Sequence, residues 1–131
     1  KRQRGGSMKT IELTAKEQAF VAQYFETALW ADFQDEMPID SLDDDCLREG
    51  TIDALCFYSR AAMYLSDDNF TDAAHTFYLV RQGHGVSFSD NPHLYSEFVI
   101  GRLQTLAETF GAVEYYTKDG HLINQGIERV Q

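Results

Sequence analysis

The chain has 131 residues, 44% of them hydrophobic, and a formal charge of −10. That is enough apolar content to bury one real core, and the length fits one domain more comfortably than two. The acidity works against direct binding to nucleic acid phosphates or anionic lipid and favours basic protein surfaces as partners.

Lys1-Arg2-Gln3-Arg4-Gly5-Gly6-Ser7 reads as an expression-tag remnant ahead of Met8, and residues 8–131 as one domain. Without Lys1, Arg2 and Arg4 the formal charge falls from −10 to −13. Thr14-Ala15-Lys16-Glu17 has the form of a capping box, in which a hydroxyl and a carboxylate each satisfy a backbone amide at a helix start. Phe20, Val21, Tyr24, Phe25, Ala28 and Leu29 then recur with a helical period, which predicts a first helix over residues 15–33.

From Asp32 to Glu49 acids dominate, and Pro38 interrupts any continuous helix. A second helix is expected from Asp45 or Thr51 to Leu65, burying Ile52, Leu55, Cys56, Ser59, Ala62 and Met63, with Gly50 obscuring its start. After the turn Ser66-Asp67-Asp68-Asn69 the pattern changes to a period of two. Phe77, Leu79 and Arg81 alternate with Thr76, Tyr78 and Val80, which predicts a strand. A glycine-rich turn, Gln82-Gly83-His84-Gly85, returns to a partner strand at Val86-Ser87-Phe88. Asp90-Asn91-Pro92 opens a third helix, expected over residues 92–110 with Phe98 among its buried residues and Gly111 as its stop. Residues 112–117 and 121–123 flank Lys118-Asp119-Gly120 as a hairpin, Asp-Gly being a strong turn signal, with Thr117 opposite Leu122 and Tyr116 opposite Ile123. The resulting expectation is an α+β domain: a small antiparallel sheet of three or four strands with about three helices packed on one side.

Candidate chemistry is sparse. The acids Asp40, Asp43, Asp44, Asp45 and Glu49 do not fit a calcium loop, because counting from Asp40 the third position is Leu42 and the sixth is Asp45. For each acid the bland reading is a solvated connection. As a group they form a candidate partner-binding surface imitating nucleic acid phosphates. His75, His84, His93 and His121 lack the close spacing of zinc ligands, and no metal or cofactor site is expected. Cys46 and Cys56 lack metal-ligand neighbours and nucleophile signatures, which suits a reduced cytoplasmic setting. No apolar run approaches the ~20 residues of a membrane span. Arg81, Gly83, His84 and Gly85 make a candidate recognition turn that presents an imidazole between two glycines.

Phe77-Tyr78-Leu79-Val80-Arg81-Gln82-Gly83-His84-Gly85-Val86-Ser87-Phe88 resembles a hairpin of small phage-encoded proteins, which read Phe-Trp-Leu-Thr-Arg, then Asn-Gly-His-Gly, then a small residue and Phe. The similarity runs on through Leu103, Ala107, Phe110-Gly111 and the Val113–Ile123 hairpin, and this chain departs from it at Tyr78, Val80 and Gln82. That family has no assigned activity, so the resemblance implies context only: a phage or mobile-element protein made in the bacterial host cytoplasm. The resulting expectation is a non-enzymatic accessory protein. It binds and inhibits or redirects a host protein with a basic surface, as a counter-defence protein would, without touching nucleic acid or membrane. The alternatives are a structural homodimer formed through a sheet edge and a small enzyme using His84 with Arg81.

Overall fold

The computed structural model describes residues 12–33, 43–113, 115–118 and 121–124. The residues read as a tag remnant, Pro38, Asp40 and the Asp119-Gly120 turn lie outside them. Helix α1 runs Ala15–Phe33 and begins at the expected capping box: the Thr14 amide donates to Glu17 Oε1 (2.8 Å) and the Glu17 amide to Thr14 Oγ1 (3.1 Å). Phe20, Tyr24, Phe25, Ala28 and Leu29 are its buried face.

Helix α2 runs Asp44–Ala61, with the Asp43 side chain accepting from the Asp45 amide at its N-cap. Its buried residues are Cys46, Gly50, Ala54, Phe57 and Ala61. The stripe expected to be buried, Ile52, Cys56, Ser59, Ala62 and Met63, faces solvent instead. Small side chains explain the inversion. Gly50 crosses α1 so closely that an added Cβ would stand 2.6 Å from Cζ of Phe25, itself buried. Alanine ordinarily gains up to about 1 kcal/mol over glycine in a helix, but overpacking costs about 1–3 kcal/mol. Gly50→Ala is therefore expected to lower the urea midpoint. Gly101→Ala, with nothing within 4 Å of its added Cβ, is expected to raise it.

Helix α3, Phe70–Arg81, overturns the expected fold class. The residues read as a first strand, 76–81, form its second half. Eight of its 12 residues are buried, including the consecutive run Thr76 to Arg81, because α1 and α4 pack against it and Phe57 of α2 stacks on Phe77. Along that run the helix has no polar face, so its sequence shows no helical period there. The expected hairpin turn is this helix's C-cap. The His84 amide donates to the Leu79 carbonyl (3.1 Å) and the Gly83 amide to the Val80 carbonyl (3.0 Å), a Schellman motif with Gly83 at φ +71°. Val86-Ser87-Phe88 is no strand either: Ser87 caps a 3-10 turn, Phe88–Asp90, in a reciprocal capping box with Asp90.

Helix α4, Glu97–Glu108, starts later than expected, at the N-cap Ser96, and buries Leu103 and Ala107. Gln104 Oε1 accepts from the Phe88 amide (3.1 Å) and so pins the 3-10 turn to it. Gly111, at φ +70°, follows the helix end.

The domain is thus helical, four α-helices around one aromatic core, and not the α+β layer expected from the sequence. The strands among the described residues are β1, Tyr115–Lys118, and β2, His121–Asn124. They pair only with each other, Tyr116 opposite Ile123 and Thr117 opposite Leu122. No sheet of three or four strands exists among the described residues for the helices to pack on.

Candidate functional site

Arg81 ends α3 with its side chain only 3% exposed. Its Nη1 donates to Tyr24 Oη and to Asp53 Oδ2 (both 2.9 Å), its Nε to the Gly111 carbonyl (2.9 Å), and its Nη2 to the Phe110 carbonyl (3.4 Å). The guanidinium also lies 5.7 Å from the ring centres of both Phe77 and Phe110. Burial works against this charge, yet Tyr24 and Asp53 more than offset it and hold the Arg81 pKa above its ordinary value. Burial also raises the Tyr24 phenol, so at neutral pH the counter-charge is Asp53. The side chain therefore joins α1, α2 and the end of α4, and it is withdrawn from the exposed recognition turn expected of it.

Beside it lies a second network. Asp32, at the end of α1, accepts from Tyr78 Oη, from Gln82 Nε2 (3.5 Å) and from His84 Nε2 (2.8 Å). Gln82 also pairs with Val113 in both directions, Nε2 donating to its carbonyl (2.9 Å) and Oε1 accepting from its amide (2.8 Å). His84 is half-exposed and held by a carboxylate, which fixes its ring at Nε2. No serine, threonine or cysteine is hydrogen-bonded to it among the described residues. Gly83 and Gly85 both take positive φ, so the turn that presents the imidazole depends on glycine at each.

The acidic candidates separate into roles. Asp43 is the N-cap of α2, Asp44 and Asp45 occupy its first turn where carboxylates complement the helix dipole, and Asp45 pairs with Arg48. Asp44 is exposed, while Asp43, Asp45 and Glu49 are half-buried. Asp40 lies outside the described residues. The first three acids therefore help to start a helix, which an unstructured connection would not explain.

A third polar node closes the opposite end of α3. Asp72 accepts from Tyr95 Oη (2.6 Å), Asn91 Nδ2 (3.1 Å) and Thr76 Oγ1 (3.3 Å). Burial, then the bond to Asp72, raises the Tyr95 phenol well above its ordinary value. Tyr24 and Tyr95 keep their protons in the folded state where the unfolded chain has released them. Their contribution is therefore complete below the ordinary phenol pKa of about 10 and is lost as pH rises through the folded values. Urea midpoints measured from about pH 8 to about pH 11 are expected to fall steeply at the alkaline end, and less steeply in Tyr95→Phe.

The surface holds one feature that the sequence reading assigned to the core. Ile52 (46% exposed), Met63 (79%) and Phe98 (62%) stand in solvent. Beside Phe98 runs a shallow groove of about 590 Å³ lined by Arg60, Tyr64, Glu97, Phe98, Arg102 and Leu106, among others. The Arg102 guanidinium covers Phe98 at 4.9 Å from its ring centre. The available signal was the four-residue step from Phe98 to Arg102 on one helix face, obscured because Phe98 was counted as core. Among the described residues no group of His, Cys, Asp or Glu is placed to hold a metal, and no helix is long and apolar enough to cross a membrane. No protein-family model matches the chain, and neither does any curated protein or solved structure.

Proposed function

We propose that the protein acts by binding another protein: a phage or mobile-element accessory factor whose acidic surface meets a basic surface on a host protein and inhibits or redirects it. The observation that carries this reading is the charge distribution. The formal charge is −10, and at the start of α2 Asp43, Asp44, Asp45 and Glu49 present carboxylates within two helical turns. Three of the cations whose side chains are described are already bound to carboxylates within the fold: Lys16 to Asp67, Arg48 to Asp45 and Arg81 to Asp53. A basic partner would meet a net negative field, compensated locally by Arg48 on Asp45, and steering by summed charge raises the association rate. The enzyme alternative keeps one supporting observation, the His84–Asp32 bond, but Arg81 is committed to the interior.

The test is capture of interacting proteins from bacterial lysate on immobilised protein at low and high salt. The wild type is compared with a variant carrying Asp43→Asn, Asp44→Asn, Asp45→Asn and Glu49→Gln. Asparagine at position 43 preserves the N-cap, so the variant should fold. A partner retained by the wild type at low salt, and lost both at high salt and in the variant, supports the reading. Retention indifferent to both changes would remove the acidic surface from the mechanism.

A further inference from the structure

We infer that the groove between α2 and α4 is the contact face of a symmetric homodimer, with Glu97 of one copy meeting Arg60 and Arg102 of the other across apolar contacts made by Tyr64 and Phe98. This surface is separate from the acidic start of α2 and independent of the reading based on it.

Three observations converge on the groove. The first concerns its cations. Among those whose side chains are described, Arg60 and Arg102 are the two with no carboxylate in ion-pairing range among the described residues, and both line this groove. In a chain so rich in acids, two neighbouring guanidiniums without an ion pair among the described residues are conspicuous. The second concerns its anion. Glu97 lines the same groove yet pairs with neither arginine, so both signs of charge are available on one patch. The third is apolar. Phe98 is 62% exposed, and its ring meets that of Tyr64, also in the groove lining, edge to face at 6.1 Å. Aromatic residues, Met and Arg are the types enriched at protein interfaces.

The choice of a second copy follows from symmetry and charge. A two-fold contact brings a patch against itself, so it must be self-complementary. A patch of one sign would repel itself, whereas this one offers a glutamate to each facing arginine pair around an apolar centre. Elsewhere, two molecules of formal charge −10 repel each other, which favours close approach at a surface that carries positive charge. The sheet edge once expected to supply a dimer contact is replaced by a helical face.

The charge argument also sets the sign of the salt response. Long-range repulsion between two acidic molecules is screened over about 10 Å at 0.1 M salt, so moderate salt is expected to strengthen self-association. Capture of a basic partner on the acidic surface is expected to weaken under the same change.

Sedimentation velocity over a concentration series tests the inference directly. The wild type is expected to shift from monomer to dimer mass with concentration, at lower concentration in moderate salt. A double variant, Arg60→Glu with Arg102→Glu, is expected to stay monomeric, as are Glu97→Arg and Phe98→Ser. All four positions are exposed, and circular dichroism checks that each variant is folded. An equimolar mixture of the double variant with Glu97→Arg restores opposite charges across the contact and is expected to recover dimer mass. A wild type that is monomeric at every concentration and salt would overturn the inference. So would a wild-type dimer indifferent to these substitutions, or a mixture that remains monomeric.

Discussion

Arg81→Met is expected to give the largest loss of stability of any polar substitution in this domain. Methionine fills much of the same volume but leaves Asp53, the Tyr24 hydroxyl and the Phe110 and Gly111 carbonyls without their donor. Breaking a buried ion pair by removing one partner costs about 3–5 kcal/mol. Domains of this kind have about 5–15 kcal/mol in all, so the variant should melt far below the wild type and be largely unfolded at modest urea. Arg81→Lys is expected to recover little of this, because one ammonium cannot reproduce a planar fork that donates in three directions. Asp53→Asn, which keeps an acceptor at a partly exposed position, should cost much less. Urea unfolding of the three variants checks the order, and a loss below about 1 kcal/mol for Arg81→Met, the size of an ordinary hydrogen bond, would show that the clamp does not hold the helices together.

The second large effect is expected from Phe57→Ala. The Phe57 ring stacks on Phe77 with centres 4.2 Å apart and planes 7° from parallel, and it also meets Phe20, Phe88 and Phe110. It is fully buried where α1, α2, α3 and the 3-10 turn converge. Phe→Ala in a core costs about 3–5 kcal/mol, made up of lost transfer free energy and the cavity left behind. Phe57→Leu, which leaves a smaller void, should cost less. The same truncation at exposed Phe98 is expected to change monomer stability by no more than about 0.5 kcal/mol, as at other surface sites. Thermal melts of the variants separate the two environments, since the chemistry removed is identical.

These contrasts show where the fold was legible in the sequence. Helix α1 was legible to its terminal residues, because Thr14 and Glu17 mark the start and one face only is apolar. Helix α3 was not, for the opposite reason: the continuous burial of Thr76 to Arg81 removes the polar face that would reveal a period, and its aromatic and branched residues favour strands locally. The correct signal was Gly83 as a helix stop, and it was read as a hairpin because glycine suits both. In α2 the misleading quantity was bulk. Ile52 and Met63 are larger than Gly50, Ala54 and Ala61, yet the close crossing with α1 requires the small residues inside. The same error hid the candidate contact face, since Phe98 was assigned to a core that excludes it. Asp43, Asp44 and Asp45 were recognised as a cluster, but their part in starting α2 depends on where that helix begins. The Asp32–His84 bond spans 52 positions along the chain and leaves no local pattern to read.

The Arg81 clamp also carries a consequence for synthesis. Its partners on α1 and α2 leave the ribosome before it does, but the carbonyls of Phe110 and Gly111 emerge about thirty residues later. At elongation rates of about 5–20 residues per second, the nascent chain spends on the order of seconds with an arginine that has its carboxylate and phenol but half of its hydrogen-bonding capacity unfilled. During that interval α3 lacks the cover of α4 and exposes apolar side chains that the finished domain buries. Completion of the domain is therefore tied to the arrival of two backbone oxygens, and a chain released before residue 97 would end with its central helix open.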